Sequence, residues 1–216
     1  MSGAADGSGP VFEREITEIA ELRALYPPTS ARAAAKVIDH IDAICRRYIA
    51  ASPFLLIATR GADGRLDVSP KGDPPGFVSV LGPRHLAIPD RPGNNRLDSF
   101  ENVLGDPQVG LLFLIPGHRD TLRVAGRGKL VADEALLSRL AVAGRPARLA
   151  LVVEVEEVFT HCPKCAMRSG IWDPARWPDL SQVPSLAEAL IAHAGLDTPA
   201  EEVAASLEEG NREQLY

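Results

Sequence analysis

Short apolar runs dominate the middle of the chain. Residues 109–115 form an almost unbroken apolar run, which is typical of a buried strand. Along residues 148–159, the side chains alternate in the two-residue period of a strand. Glycine- and proline-containing turns separate neighbouring runs, as they do in antiparallel hairpins. The pattern predicts six or seven strands, at residues 53–59, 65–69, 76–81, 85–88, 109–115, 121–132 and 148–159.

Apolar positions at helical spacing lie on both sides of these strands and in two connections between them. Ser30 follows two prolines and is a plausible N-cap. Gly126 and Gly128 fall inside a predicted strand, where glycine indicates a bulge or a sharp bend. Many short strands joined by hairpins favour a small barrel or sandwich, and a G-x-G-x-x-G motif is absent. The predicted helices cover residues 13–25, 30–49, 94–104, 133–142, 185–193 and 199–207.

Composition narrows the class of protein. The chain has 216 residues, 45% of them hydrophobic, which suits one globular domain with a sizeable core. A net charge of −6 offers no general basic field, so neither nucleic acid nor an anionic membrane is an expected partner. No apolar run approaches the about 18 residues of a membrane helix, and residues 1–10 do not resemble a signal peptide. Three cysteines argue against a disulfide framework. We therefore expect a cytoplasmic protein.

Two polar clusters border the strands in the middle of the chain. The first contains Ser69, Lys71 and Asp73, and the second precedes or begins the predicted helix at 94–104. Guanidinium groups and helix N-termini together form anion sites. The pattern indicates a phosphorylated cofactor, although a capped helix with solvated arginines would show the same residues. The second cluster consists of Asp90, Arg91, Asn94, Asn95 and Arg96.

The three cysteines do not suggest a metal site. Cys162 and Cys165 form a C-x-x-C, but zinc would require a second pair of ligands at related spacing. The remaining cysteine, Cys45, falls on the apolar face of a predicted helix and is expected in the core. A redox C-x-x-C usually begins a helix in a βαβ unit, whereas this one follows a predicted barrel strand.

Five segments between about Pro53 and Trp177 together resemble the pyridoxamine 5'-phosphate oxidase-like flavoproteins. They read S-P-K-G-D-P-P-G-F-V, L-A-I-P-D-R-P-G-N-N-R, D-P-Q-V-G-L-L-F-L-I-P-G, T-L-R-V-A-G-R-G and H-C-P-K-x-x-x-R-S-x-x-W, in that order. The resemblance implies a mainly β (α+β) fold, an antiparallel split β-barrel of six to seven strands with flanking helices. It also implies a homodimer with FMN at the interface.

The resemblance carries particular residues into the expected site. Arg65, Ser69 and Lys71 match the strand that runs beside the flavin ring. The cluster from Asp90 to Arg96 matches the loop and helix start that hold the FMN phosphate. A cation near the flavin N1 and C2 carbonyl, Lys71 or Arg123, would stabilise the reduced ring. A loop that reaches the cofactor, often from the partner subunit, is matched by Lys164, Arg168 and Trp172.

The chain also departs from the true oxidase, because that enzyme's C-terminal substrate-binding signature is not recognisable. We therefore expect a divergent branch, an FMN-dependent oxidoreductase on an unidentified small molecule. The alternatives are a non-catalytic flavin carrier or sensor and a haem-binding barrel that uses His85, His118 or His161; deazaflavin-using relatives share the barrel. The expected layout is a disordered segment over residues 1–10, a split-barrel domain with N-terminal helices over 11–180, and an acidic helical tail over 181–216.

Overall fold

The computed structural model describes Pro10, residues 12–213 and residues 215–216. Its centre is one antiparallel sheet in the strand order β2-β1-β5-β6-β7-β4-β3, so that β2 and β3 are the edges. The predicted fold, an antiparallel split β-barrel of six to seven strands with flanking helices, is confirmed. The strands are β1 (Phe54–Arg60), β2 (Leu66–Gly72), β3 (Ser79–Gly82), β4 (His85–Pro89), β5 (Gln108–Leu114), β6 (Thr121–Val131) and β7 (Ala150–His161).

The main core lies on one face of this sheet, and a smaller buried cluster around Ala87 and Val152 lies on the other face, on β4 and β7. Inward-facing residues of adjacent strands, such as Leu55, Phe113 and Leu122, are fully buried and paired in register. Helix α4 (Asp98–Gly105) contributes Phe100 and Val103 to the same core. The predicted core position of Cys45 is also correct, and burial raises the pKa of its thiol to about 11.

The predicted bulge in β6 occurs at Gly126. The register with β7 shifts between Ala125 and Gly126. A Cβ atom at Gly126 would lie 2.0 Å from the main-chain oxygen of Glu154, so only glycine allows this close approach of the two strands. Gly128 lies in regular register and instead packs against side chains such as Leu151.

The long helix predicted at 30–49 is wrong. The structure has a short helix α2 (Ala31–Ala35), for which Ser30 is the N-cap as predicted, and a separate helix α3 (Ala43–Ala51). Between them Ile38 is extended, because its N–H and C=O both pair with Val158 at the edge of β7. Asp42 then starts α3 by accepting a hydrogen bond from the Cys45 N–H (2.8 Å).

The helix predicted at 94–104 begins later than expected, at Asp98. Asn95 and Leu97 have φ angles of 56° and 60°, and this left-handed conformation cannot continue an α-helix. The Asn94 side chain accepts a hydrogen bond from the Arg96 N–H (3.1 Å) and so forms a local turn. The residues from Asn94 to Arg96 therefore belong to a loop, and Leu97 stands at the N-cap position of α4.

The chain divides into two compact units, one up to Lys36 and the other from Val37 to Tyr216. The predicted disordered segment, residues 1–10, lies outside the described residues except for Pro10. Among the helices that the structure describes, none is both long and apolar enough to cross a membrane. The remaining helices are α1 (Ile19–Ala24), α5 (Glu134–Arg139), α6 (Lys164–Ser169), α7 (Leu186–Ala194) and α8 (Ala200–Glu213).

Candidate functional site

A cleft of about 500 Å³ opens between the edge strand β2, the loop from β4 to α4 and the segment that precedes β7. The first turn of α4 and the end of α8 complete its walls. Of the twelve residues predicted to bind a cofactor, the structure brings seven together here, from segments distant in sequence. These seven are Ser69, Lys71, Asp90, Arg91, Asn94, Asn95 and Arg96.

Strand β2 supplies one wall because its side chains alternate between two environments. Ser69 and Lys71 line the cleft, whereas Leu66 and Val68 point away from it and are 78% and 60% exposed. The Lys71 ammonium lies 5.3 Å from the centre of the Phe100 ring. The strand therefore presents a cation to the cleft beside an aromatic surface.

A carboxylate at the base of this wall ties β2 to α4. Asp67 accepts hydrogen bonds from the Ser69 hydroxyl (3.0 Å) and from the Ser99 hydroxyl (3.1 Å). Because Ser69 and Ser99 both line the cleft, these bonds fix two neighbouring walls relative to each other.

Arg91 anchors the start of the loop between β4 and α4. Its side chain is 16% exposed and its Nε donates to Asp73, which is 1% exposed, at 2.6 Å. Its two terminal nitrogens donate to the main-chain oxygens of Leu140 (2.9 Å) and Asp90 (3.4 Å). Three of the five N–H groups of the guanidinium are thus used to hold the loop on the barrel.

Arg96 lies at the other end of the same loop and is 71% exposed. Its Nε donates to Asp98 at 2.7 Å, and this carboxylate raises the pKa of the arginine. An exposed ion pair of this kind is weak and easily exchanged for another anion. Together with the amide side chains of Asn94 and Asn95, Arg96 forms an open polar rim on the cleft.

Asp90 is a partly buried acidic residue that lines the same cleft. Burial raises its pKa, and the positive charge of Lys71 opposes that shift. Arg148 and Arg91 act in the same direction as Lys71. Asp90 consequently lies in a part of the cleft where positive charges outnumber its own negative charge.

Two further arginines line the cleft that were not among the predicted site residues, Arg145 and Arg148. Both lie in the connection between α5 and β7, in the segment G-R-P-A-R. The alternation of arginine with small residues before a buried strand was the available signal, but it does not show which way the side chains point. An apolar wall, also missed, is formed by Leu97, Phe100, Val142, Pro146 and Ala147.

Five predicted site residues do not line this cleft. Arg65 pairs with Asp63 in the turn before β2 (2.6 Å). Arg123 lies on β6, where its guanidinium is 5.3 Å from the centre of the Phe159 ring. The other three belong to the short helix α6 and the turn that follows it, and are Lys164, Arg168 and Trp172.

The side of the sheet opposite the core, which we call the outer face, is apolar and partly exposed. On this face Val68 pairs with Ala58, and Pro70 pairs with Leu56. Leu56 in turn pairs with Leu112, which has Arg123 as its partner on β6. Arg123 thus belongs to the outer face, whereas Lys71 belongs to the cleft. We define the outer face by Leu56, Ala58, Leu66, Val68, Pro70, Leu112 and Arg123.

The fold and the cleft define a split-barrel protein with a cleft rich in cationic side chains at one edge of its sheet. The chain belongs to the pyridoxamine 5'-phosphate oxidase family, because the model of that family matches residues 41–162, which is more than half of the chain. This match includes both polar clusters of the sequence. No curated protein matches the chain.

Several solved structures are similar to part of this chain. HupZ of Group A Streptococcus is 14% identical, with a TM-score of 0.46, and the match covers 56% of this chain and 93% of that one. An FMN-binding protein of Syntrophomonas wolfei is 11% identical, with a TM-score of 0.44 and coverages of 54% and 83%. HutZ, the haem storage protein of Vibrio cholerae, is 13% identical, with a TM-score of 0.39 and coverages of 56% and 93%. At these identities and scores, the likeness does not bear on ligand or activity.

Proposed function

We propose that the cleft binds FMN and that the protein is an oxidoreductase acting on a small molecule. The observation that carries this proposal is the gathering of Lys71, Arg96, Arg145 and Arg148 with an apolar wall in a single cleft of a family member. Ligand sites of this kind are mostly apolar clefts with a few placed polar groups, of about 300–1,000 Å³. The residues present fit a planar ring system that carries a phosphate.

The polar rim is the proposed phosphate site. Asn94, Asn95 and Arg96 offer amide and guanidinium donors, and Arg91 keeps two N–H groups beyond its bonds to the barrel. A phosphate would replace Asp98 as the partner of Arg96, since both are anions and the existing ion pair is exposed. Asp90 would lie beside this site as the counter-charge that holds Lys71 and Arg148 in place.

The apolar wall and Lys71 are the proposed contacts of the ring. When bound, FMN would carry the electrons itself, so the reaction requires no redox-active side chain. Phe100 and Pro146 would exclude water from one side of the ring, and Lys71 would place a positive charge at its edge. A cation at that position favours the reduced, negatively charged flavin and so raises its potential.

The positions of the histidines argue against haem binding in this cleft. None of the described histidines lines it. His85 begins β4, His118 packs edge-on against Tyr48 in a turn, and His161 ends β7 beside Phe159. A haem iron in the cleft would therefore lack the usual imidazole ligand.

We further propose that the outer face joins two copies of the chain into a homodimer. An apolar sheet face with side chains as exposed as Leu66 and Val68 is a typical interaction surface. Arg123, on the same face, and the loop with Lys164, Arg168 and Trp172 would then be available to the partner's cofactor. Light scattering after size exclusion tests the dimer. Val68→Glu should give monomers, whereas Val183→Glu, at a similarly exposed residue outside the strands of the sheet, should not. A dimeric Val68→Glu protein would contradict the proposed interface.

The test of the cofactor uses two ligands that differ only in the phosphate. Titration of the protein with FMN and with riboflavin, followed by quenching of flavin fluorescence, should show FMN binding at least about tenfold more tightly, because charged hydrogen bonds to the phosphate are lost with riboflavin. Equal affinities would contradict the proposed phosphate site.

A second experiment separates an oxidoreductase from a flavin carrier. The turnover of a reduced nicotinamide with an electron acceptor is measured, and almost no turnover is expected for a carrier.

A further inference from the structure

The end of helix α8 reaches the cleft. Glu213, the last residue of the helix, and Tyr216 line it together with Lys71 and Arg96. The proposed function uses neither residue. We call Glu213 and Tyr216 the tail contacts.

Two hydrogen bonds fasten Tyr216 to the walls of the cleft. Its hydroxyl donates to the carboxylate of Asp73 at 2.9 Å, and this bond raises the pKa of the phenol. Asp73 is the same buried residue that anchors Arg91. The guanidinium of Arg145 donates to the main-chain oxygen of Tyr216. The tail therefore occupies donors and acceptors on two sides of the cleft.

The tail contacts disfavour the binding of an anionic ligand in the same cleft. Glu213 brings a carboxylate into a cleft whose other charged groups are mostly cations, and a phosphate placed there would be repelled by it. The main-chain oxygen of Tyr216 also takes an N–H group of Arg145 that a phosphorylated ligand could use. Ligand and tail thus compete for the same positive charge.

The tail is weakly held apart from these contacts. No residue of α8 is buried, and the helix packs mainly on α7, which itself buries only Ala187. A segment with so little buried apolar surface detaches at a low cost in free energy. Release of the tail is not expected to disturb the barrel, because neither buried core cluster contains a residue of α8.

We propose that the tail contacts form an autoinhibitory strap, which narrows the cleft in the free protein and is displaced when a phosphorylated ligand binds. This inference rests on the proposed FMN site. By linkage, the factor by which the ligand loosens the strap equals the factor by which the strap weakens the ligand. The strap therefore lowers the affinity of the cleft for FMN by that factor.

The test compares charge and hydrogen-bond variants of the full chain in titrations with FMN. Glu213→Gln removes the repelling carboxylate, and Tyr216→Phe removes the bond to Asp73. Each should bind FMN about fivefold more tightly than the unmodified chain, in the range of measured allosteric couplings. Glu209→Gln makes the same charge change on an exposed part of α8 that does not line the cleft, and it should leave the affinity unchanged. A chain that ends at Glu209 lacks both tail contacts and should bind FMN at least as tightly as either variant.

Hydrogen exchange provides a second readout, since FMN should accelerate exchange of the amides at the end of α8 while it protects those of the loop at 90–97. Equal or weaker binding by Glu213→Gln and Tyr216→Phe, with normal binding by the unmodified chain, would overturn the strap and leave the FMN site intact. Binding only by the shortened chain would support both proposals. Absence of binding by every form would overturn the FMN site and the strap with it.

Discussion

Arg91 and Arg96 stand at opposite ends of one loop, and the sequence assigns both to the same phosphate motif. The structure treats them differently: Arg91 is pinned to a buried carboxylate and two main-chain oxygens, whereas Arg96 is exposed and holds a single surface carboxylate. The first arginine shapes the loop and the second is available to a ligand. Two arginines of one motif can therefore have separate roles. The burial of the carboxylate that each one pairs with distinguishes these roles.

Replacement of Arg91, which holds the loop on the barrel, should have the largest effect on stability. Arg91→Leu leaves the Asp73 carboxylate buried without its ion pair, and removal of one partner of a buried pair costs about 3–5 kcal/mol. Urea unfolding should show this loss as a clear fall in the midpoint, whereas Arg96→Leu should leave the midpoint unchanged because its ion pair is exposed. Equal midpoints for the two variants would show that the proposed division of roles is wrong.

Loss of the cation on β2 should act on the ligand and not on the fold. Lys71→Gln removes a charge-assisted contact, so that FMN binding should weaken by roughly tenfold to a hundredfold in a fluorescence titration. Lys129→Gln, on the exposed side of β6 and away from the cleft, is the matched control and should bind FMN normally. The assignment of Lys71 fails if the two variants bind equally well.

A smaller effect is expected at the open end of the loop. Arg96→Gln should weaken FMN binding about fivefold, since an exposed contact is screened by solvent and salt. Asp98→Asn releases Arg96 from its present partner and should tighten binding by a similar factor. Both changes should shrink as the salt concentration of the titration is raised. A pair of variants with the same affinity as the unmodified protein would exclude Arg96 from the site.

The smallest effect concerns pH. Burial raises the pKa of Asp90 above its ordinary value of 3.8, so the folded chain binds this proton more tightly than the unfolded chain does. The contribution of Asp90 to the free energy of unfolding falls as the pH rises from its unfolded pKa to its folded pKa. Above the folded pKa, this contribution is unfavourable. Asp90→Asn should therefore be slightly more stable than the unmodified protein near pH 7, and the difference should vanish towards pH 4.

Urea midpoints measured from pH 4 to pH 7 check this sign. Asp197→Asn is the control, because this aspartate is exposed and does not line the cleft. A lower midpoint for Asp90→Asn at pH 7 would mean that the bonds of the carboxylate outweigh its burial.

The strands could be predicted because each one carries its own signal. The run at 109–115 and the alternation before His161 reflect burial of one or both faces, which sequence periodicity records directly. The helix at 30–49 failed because helical spacing continues through Ile38, and only the distant partner Val158 shows that this residue is extended. Local spacing cannot report a bond to a residue so far along the chain.

The site was predictable only in part for the same reason. Ser69, Lys71 and the polar residues from Asp90 to Arg96 were predicted together because they flank strands in a pattern that resembles a family, and the structure brings them into one cleft. Arg145, Arg148 and Tyr216 reach the cleft through the packing of later segments, and the local sequence does not show which way their side chains point. The late start of α4 depends on two left-handed residues, Asn95 and Leu97, and leucine gives no warning of that conformation.

The decisive measurement for the FMN site is the visible absorption spectrum of the full chain after incubation with FMN and desalting. The protein is then heated, and the released ligand is identified by its mass. We expect a flavin spectrum that survives desalting and the mass of FMN in the released fraction. A colourless protein after desalting would contradict the FMN site, and a Soret band with no flavin would replace it with a haem-binding barrel.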